Sequence, residues 1–215
     1  MANLLSLLAE ADQEVRQKHY PKGQIIFYQG DHTLEVAILA DGYIKVYDID
    51  DQGNEKILHI LRQGALAPFS FFSGKKEEIH WFYSALTDCD VYVVDLDVML
   101  DKVKKDSDLA QAFMSWFSYE VQELLTRLSS MGKSTAREKV LAALTFLADY
   151  CSKQRPSGWK RVNFPVNHQL LADMTGVTRE SAAMIMKELA KKGIVRNPRQ
   201  TILEIKLKDN RSKNS

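Results

Sequence analysis

The chain has 215 residues, 45% of them hydrophobic and 27% charged, and a formal net charge of +1. That composition fits one large or two modest folded domains and excludes a disordered or collagen-like polymer. No apolar run approaches the ~20 residues of a membrane-spanning helix, and the two isolated cysteines, Cys89 and Cys151, fit neither a disulfide framework nor a metal-ligand spacing.

At the N-terminus, Leu4, Leu5, Leu7 and Leu8 are followed by Glu10 and Asp12, with no basic region before them. This predicts a short docking helix rather than a signal peptide, and a protein of the cytosol without a membrane partner. Residues 20 to 100 carry short β-rich runs: Ile25–Tyr28, Val36–Leu39, Tyr43–Tyr47, Lys56–Leu61 and Val91–Val94. Turn residues separate them at Gly23, Gly30-Asp31, Asp41-Gly42, Gln52-Gly53 and Gln63-Gly64. The spacing predicts an antiparallel β-roll or sandwich.

From about Ser107 to Met131 the pattern becomes helical. Ala110, Met114, Phe117, Val121, Leu124, Leu128 and Met131 recur at steps of four and three, the seam of a two-stranded coiled coil. Leu109, Phe113 and Trp116 form a second stripe. One stripe is expected to dock on the roll and the other to meet the same helix of a second copy, giving a homodimer. A single helix buried wholly in its own domain is the alternative.

The segment from Asn167 to Gly193 spells two short helices around a tight turn. Asn167 is placed to cap the first helix, which presents Leu170, Leu171 and Met174 to a core, with small Ala172 where the helices must approach. Gly176 supplies the turn and Thr178 caps the second helix. There Ala182, Ile185, Met186 and Leu189 share a face, and Gly193 occupies a C-terminal left-handed position. This is a helix-turn-helix. The opposite face of its second helix offers Arg179, Glu180, Ala183, Met184 and Lys187, and double-stranded DNA is the expected partner.

Charge segregation points the same way. Residues 131–215 hold 17 basic and 7 acidic residues, a balance of +10, whereas residues 1–130 hold 12 and 21, a balance of −9. Phosphate binding needs such a basic face, and an ordinary solvated surface does not. Asn167, His168, Thr178, Lys160, Arg161, Lys191, Lys192, Arg196 and Arg199 are the candidate backbone contacts. Beyond Gly193, Ile194–Arg196, a turn at Asn197-Pro198-Arg199-Gln200, and Thr201–Leu207 predict a β-hairpin wing, followed by a polar tail from Lys208 to Ser215.

In this order, a roll, a long helix and a winged helix-turn-helix resemble the Crp-Fnr superfamily of bacterial transcription regulators over nearly the whole chain. The motifs are Pro21-Lys-Gly-Gln-Ile-Ile-Phe-Tyr-Gln-Gly-Asp31, Ala40-Asp-Gly-Tyr-Ile-Lys-Val46, Leu171-Ala-Asp-Met-Thr-Gly-Val-Thr-Arg-Glu-Ser181 and Met186-Lys-Glu-Leu189. The implied fold is α+β: a cyclic-nucleotide-binding-like roll in 1–105, a dimerisation helix in 106–132 and a winged helix-turn-helix domain in 133–215. The implied activity is control of transcription by a homodimer on a palindromic operator, with half-sites roughly 34 Å apart. RNA polymerase is a further partner if the protein activates.

The resemblance implies that Arg179 reads a guanine and Glu180 accepts from a cytosine amino group, pairings that base-edge geometry also favours. Met184 departs from the family, in which many members carry a second reading arginine there; a TGA-like core with altered flanks is expected. The cyclic-AMP cassette of relatives, a Gly-Glu-Leu turn and a later Arg-Ser pair, is replaced by Leu66–Phe72 and by Glu77–Phe82. With no arginine there to neutralise a cyclic phosphate and with Glu77 and Glu78 to repel it, cyclic AMP is not expected. Phe69, Phe71, Phe72, His80, Trp81, Phe82 and Trp116 are the candidate effector pocket, whether they line it for a small apolar molecule or fill it themselves. Along a strand Trp81 and Tyr83 face opposite to His80 and Phe82, so only one set can point inward.

His59 and His80 raise haem, but no paired motif stands beside them and haem is not expected; an iron–sulfur cluster would need more ligands than the chain has. No metal site is expected. Enzymes built on similar rolls need two or three histidines and a carboxylate on neighbouring strands, and His19, His32, His59 and His80 are scattered. A non-enzyme is therefore expected, with a ligand-binding adaptor that uses the winged domain for protein contacts as the second reading.

Overall fold

Val36-Ala-Ile-Leu39 is an uninterrupted apolar run, which a strand can carry only where both faces are covered. In the computed structural model it forms the centre of β3 (Glu35–Asp41), antiparallel to β8 (Cys89–Asp95) on one side and β6 (Leu66–Ala67) on the other, with β1 (Arg16–Tyr20) beyond β8. Helix α1 (Leu96–Lys105) packs on β3 and β8 and buries Leu96 and Met99. A second sheet has the order β2 (Ile25–Phe27), β7 (Phe82–Ala85), β4 (Tyr43–Ile49), β5 (Glu55–Arg62). Ile38, Ile44, Val46, Leu61, Tyr83, Val91 and Val93 fill the core of this roll. At the β3–β4 turn Gly42 has φ of 96°, and a Cβ there would lie 2.3 Å from the Asp88 carbonyl oxygen, so no other residue fits.

The structure describes residues 15–154, 158–196 and 203–206. The predicted N-terminal leucine helix, the wing tip with Arg199 and the polar tail lie outside them. The chain divides into two compact units, 1–124 and 125–215.

The five strands expected from their apolar runs are present, and β1, β6 and β7 join them. β1 is polar, reading Arg-Gln-Lys-His-Tyr, so its own pattern gave no signal. It is held by its ladder to β8 and by ion pairs of Arg16 with Glu35 (2.9 Å) and Asp95 (2.7 Å) and of Lys18 with Glu35 (3.0 Å).

Helix α2 spans Ser107–Met131, the predicted range, and crosses the division between the units. Within the roll unit Leu109, Phe113 and Trp116 pack on the core. Glu120, on the same helix, is buried against His59 of β5, with Nε2 and Oε2 2.9 Å apart. Of the seam positions, Met114 is 65% and Leu128 66% exposed and Phe117 and Met131 are exposed too, whereas Ala110, Val121 and Leu124 are half-buried.

After the end of α2 the second unit continues with α3 (Ala136–Tyr150), whose capping box is legible in the sequence. Thr135 accepts from the Glu138 amide, and the Glu138 carboxylate accepts from the Thr135 amide at 3.1 Å. Helices α4 (His168–Thr175) and α5 (Arg179–Lys191) pack on α3. A sheet of order β11 (Val195–Arg196), β12 (Glu204–Ile205), β10 (Lys160–Val162), β9 (Ser152–Gln154) completes the unit. The expected hairpin is thus β11–β12, paired Val195↔Ile205 and Arg196↔Glu204, and it belongs to a four-stranded sheet rather than standing alone.

Candidate nucleic-acid interface

The geometry of the two short helices is fixed locally. Asn167 Oδ1 accepts from the Leu170 amide at 2.7 Å, which satisfies one of the amides that the first turn of α4 leaves open. Gly176 ends that helix at φ of 69°, a left-handed conformation that glycine adopts without strain. Thr178 then caps α5 by accepting from the Ser181 amide at 3.1 Å. Buried Leu171, Ala172, Met174, Ala182 and Leu189 weld the pair, as their spacing predicts; Ile185 and Met186 are half-buried at its edge.

This leaves one stripe of α5 facing water: Glu180, Met184, Lys187 and Lys191 are exposed, Ala183 half-buried among them, and Arg179 exposed at the first helical position. The N-terminal ends of α4 and α5 meet at an open depression of about 260 Å³ lined by Asn167, His168, Gln169 and Arg179. Amides at helix N-termini carry a partial positive charge, so this depression suits an anion such as a backbone phosphate. Asn167, His168 and Thr178 are all exposed around it.

The candidate backbone contacts separate into two groups. Lys191, like the base-reading candidate Lys187, is exposed and makes no ion pair among the described residues. Lys160 instead pairs with Asp149, and Lys192 with Glu188 at 2.5 Å. Glu188 also meets Arg137 Nε at 3.1 Å; Lys192 first and Arg137 second hold its carboxyl below the usual carboxylate range and tie α5 to α3. Arg196 lies over the Trp159 ring, 4.2 Å from its centroid, and its Nε donates to Glu204 at 2.6 Å. It braces the sheet through both partners. Arg161 is half-buried on β10.

Sequence reasoning missed Arg127. Near the end of α2 and only 3% exposed, it donates from Nη2 to the Met174 carbonyl at 2.6 Å and lies over the Phe146 ring. Burial pushes its guanidinium down to about 10. The carbonyls in the last turn of a helix carry partial negative charge, so the contact anchors α4. A lone arginine between apolar helix positions was the available signal.

In the roll unit, a 3-10 turn (Phe69–Ser73) and α2 bring four of the candidate pocket residues together: Phe69, Phe71, Phe72 and Trp116. Phe72 stacks on Trp116 at 5.4 Å and 8°, Phe69 stands 6.5 Å from Trp116, and Phe113 is 5.2 Å from Phe71. The Trp116 indole nitrogen is buried with no hydrogen-bond partner among the described residues. Trp81 packs on the same core, half-buried. His80 and Phe82 do not join the cluster: His80 is exposed, and Phe82 stacks on Tyr47 at 5.2 Å. Tyr83 is the strand neighbour that points inward, where its hydroxyl accepts from the Phe69 amide at 2.9 Å, and burial raises the pKa of its phenol.

Residues 17–106 match the family of cyclic nucleotide-binding domains and residues 138–209 that of Crp-like helix-turn-helix domains. The chain belongs to the Crp family of transcription regulators. It is 23% identical over 190 residues to the HTH-type transcriptional regulator ArcR of Staphylococcus aureus, spanning 88% of this chain and 80% of that one. Among solved structures it resembles FixK2 from Bradyrhizobium japonicum, with TM-score 0.74, 16% identity and 90% and 93% of the two chains covered. It also resembles a cyclic nucleotide-binding domain protein from Listeria monocytogenes, with TM-score 0.79, 16% identity and 95% and 96% coverage. As a Crp-family regulator the protein binds DNA through its helix-turn-helix and is not an enzyme, which favours DNA over the adaptor's protein contacts. No helix among the described residues is long and apolar enough to cross a membrane.

Proposed function

We propose that the protein acts in the cytosol as a homodimer that reads a palindromic operator, each copy inserting α5 into a major groove. The observation that carries this reading is the exposed α5 stripe beginning at Arg179 and Glu180 beside the depression between two helix N-termini. Arg179 suits the O6/N7 edge of guanine and Glu180 the amino group of cytosine. His168, Asn167, Thr178 and Lys191 face the flanking phosphates, and Lys187 stands with Ala183 and Met184 on the base-reading face. The exposed α2 stripe of Met114, Phe117 and Leu128 supports a second copy as its cover, because apolar side chains at a 3.5-residue repeat gain most from the same seam. A two-fold axis through it puts the half-sites about one helical turn apart.

The effector input differs from cyclic AMP in this reading. The ring of Phe72 stacked on Trp116, with Phe69 tilted beside it, occupies the roll's inner face toward α2, and Glu77 and Glu78 are exposed where an anion's counter-charge is wanted. The buried Trp116 N–H favours a second possibility for this region: a small, mostly apolar effector that offers one acceptor and displaces a ring.

Selection of sites from random duplex DNA by the purified full chain, at two salt concentrations, tests the function. An enriched palindrome whose affinity falls steeply with salt is the expected result. Absence of any enriched sequence overturns operator reading, and enrichment of single half-sites by a monomer overturns the dimer.

A further inference from the structure

Of the side chains that α5 turns to water, Arg179, Glu180, Lys187 and Lys191 are charged, and Met184 and small Ala190 are not. Met184 is 73% exposed, and among the described residues it is the one large apolar side chain that α5 leaves in solvent. It lies one turn beyond Glu180 and just before Lys187, with half-buried Ala183 at its side. Ile185 and Met186, its apolar neighbours, turn back toward the core of their own unit. A helix whose remaining large apolar residues lean inward has no packing use for this one.

Resting on the DNA-reading function proposed above, we infer that Met184 reads the C5-methyl group of a thymine next to the bases met by Arg179 and Glu180. In the major groove guanine shows two acceptors, cytosine an amino donor, and adenine an acceptor and a donor; thymine alone adds a methyl group. A thioether donates nothing and accepts weakly. Pressed against a polar base edge it removes water and returns no hydrogen bond, which is unfavourable. Pressed against a methyl group it takes two apolar surfaces out of water together. The unbranched side chain, with three rotatable bonds, adapts to the position of that methyl. Selectivity at this step is thus for the methyl itself and not for the hydrogen-bonding pattern of the base pair.

The experiment uses the operator obtained by selection. Each thymine of one half-site is replaced in turn by deoxyuridine, which deletes the methyl and keeps every hydrogen-bonding group, and Kd is measured for the full chain and for Met184→Ala. One position is expected at which uracil weakens the unaltered protein about fourfold, the ~0.8 kcal/mol of a buried CH₂ group converted at 1.4 kcal/mol per decade. Met184→Ala binds the thymine and uracil operators equally at that position, and Met184→Leu keeps the preference. Because the residue is exposed, neither variant disturbs folding. Uracil penalties that persist unchanged in Met184→Ala, or no penalty at any position, overturn the inference while selective binding leaves the DNA-reading function standing. Loss of all sequence selectivity in the unaltered protein overturns both.

Discussion

Phe72 and Trp116 stack face to face in the roll unit with Phe69 and Phe113 beside them, whereas in the winged unit Arg179, Glu180, Met184 and Lys187 stand in water on a helix whose inner face is already packed. The charge of the sequence divides in the same sense, −9 over residues 1–130 and +10 over residues 131–215. Both units use ordinary amphipathic elements, but one packs its rings against one another, with the buried Trp116 N–H left over, and the other leaves charged side chains in water. Side chains with satisfied partners stabilise a fold. Side chains that the fold positions and does not satisfy point to a ligand.

The largest test of that contrast is Trp116→Ala. Removing a 3% exposed indole from the ring cluster should cost about 3–5 kcal/mol in urea unfolding, through lost burial and the void left behind. An unchanged midpoint would mean that the cluster is loosely filled and that the roll is as open as the winged unit. Arg127→Ala comes next, at about 3 kcal/mol, because it leaves the Met174 carbonyl without its charged donor and strips packing from Phe146. The same scan reads it, and a loss below half a kcal/mol would show that α4 needs no such anchor.

Arg179→Ala should act on the other side of the contrast. Folding stability stays within about 0.5 kcal/mol because the residue is exposed, while operator binding weakens by about 1–3 kcal/mol in a fluorescence titration. A fall in stability with unchanged affinity would reverse the roles assigned to the two sets of residues. The smallest effect concerns Glu138, whose carboxyl is held below the usual carboxylate range by the Thr135 hydroxyl first and the Thr135 amide second. Its folded pKa lies below its unfolded one, so its contribution is present above about pH 4.3 and disappears as pH falls through the folded value. Glu138→Gln should make stability slightly less dependent on pH on that acid limb, and an identical acid limb in the variant would remove the capping box from the account.

Legibility followed the range of the interactions. The helix-turn-helix was readable residue by residue, since Asn167, Gly176 and Thr178 act on amides and dihedrals within three residues of themselves. The 25-residue span of α2 was readable from its repeat. β1 was not, because its polar residues are held as a strand by the ladder to β8 and by pairs of Arg16 and Lys18 with Glu35 and Asp95, all distant in sequence. Alternation showed that only one of the sets Trp81/Tyr83 and His80/Phe82 can face the core. Which one did not follow from the sequence, and it was settled by the pairing of β7 with β4 and β2.

By itself, then, the sequence determined the order of roll, long helix and winged helix-turn-helix, the side chains that α5 leaves in water and the span of α2. Caps, glycine dihedrals and hydrophobic periods are local quantities that any chain with these residues expresses. Tertiary structure alone decided that Lys160 and Arg196 are tied to Asp149 and Glu204, that Arg137 of α3 meets Glu188, that Arg127 grips the end of α4, and that the rings of Phe69, Phe72 and Trp116 meet. Partners that far apart along the chain are chosen by how the elements close on one another, and the pattern of a single segment carries no information about that.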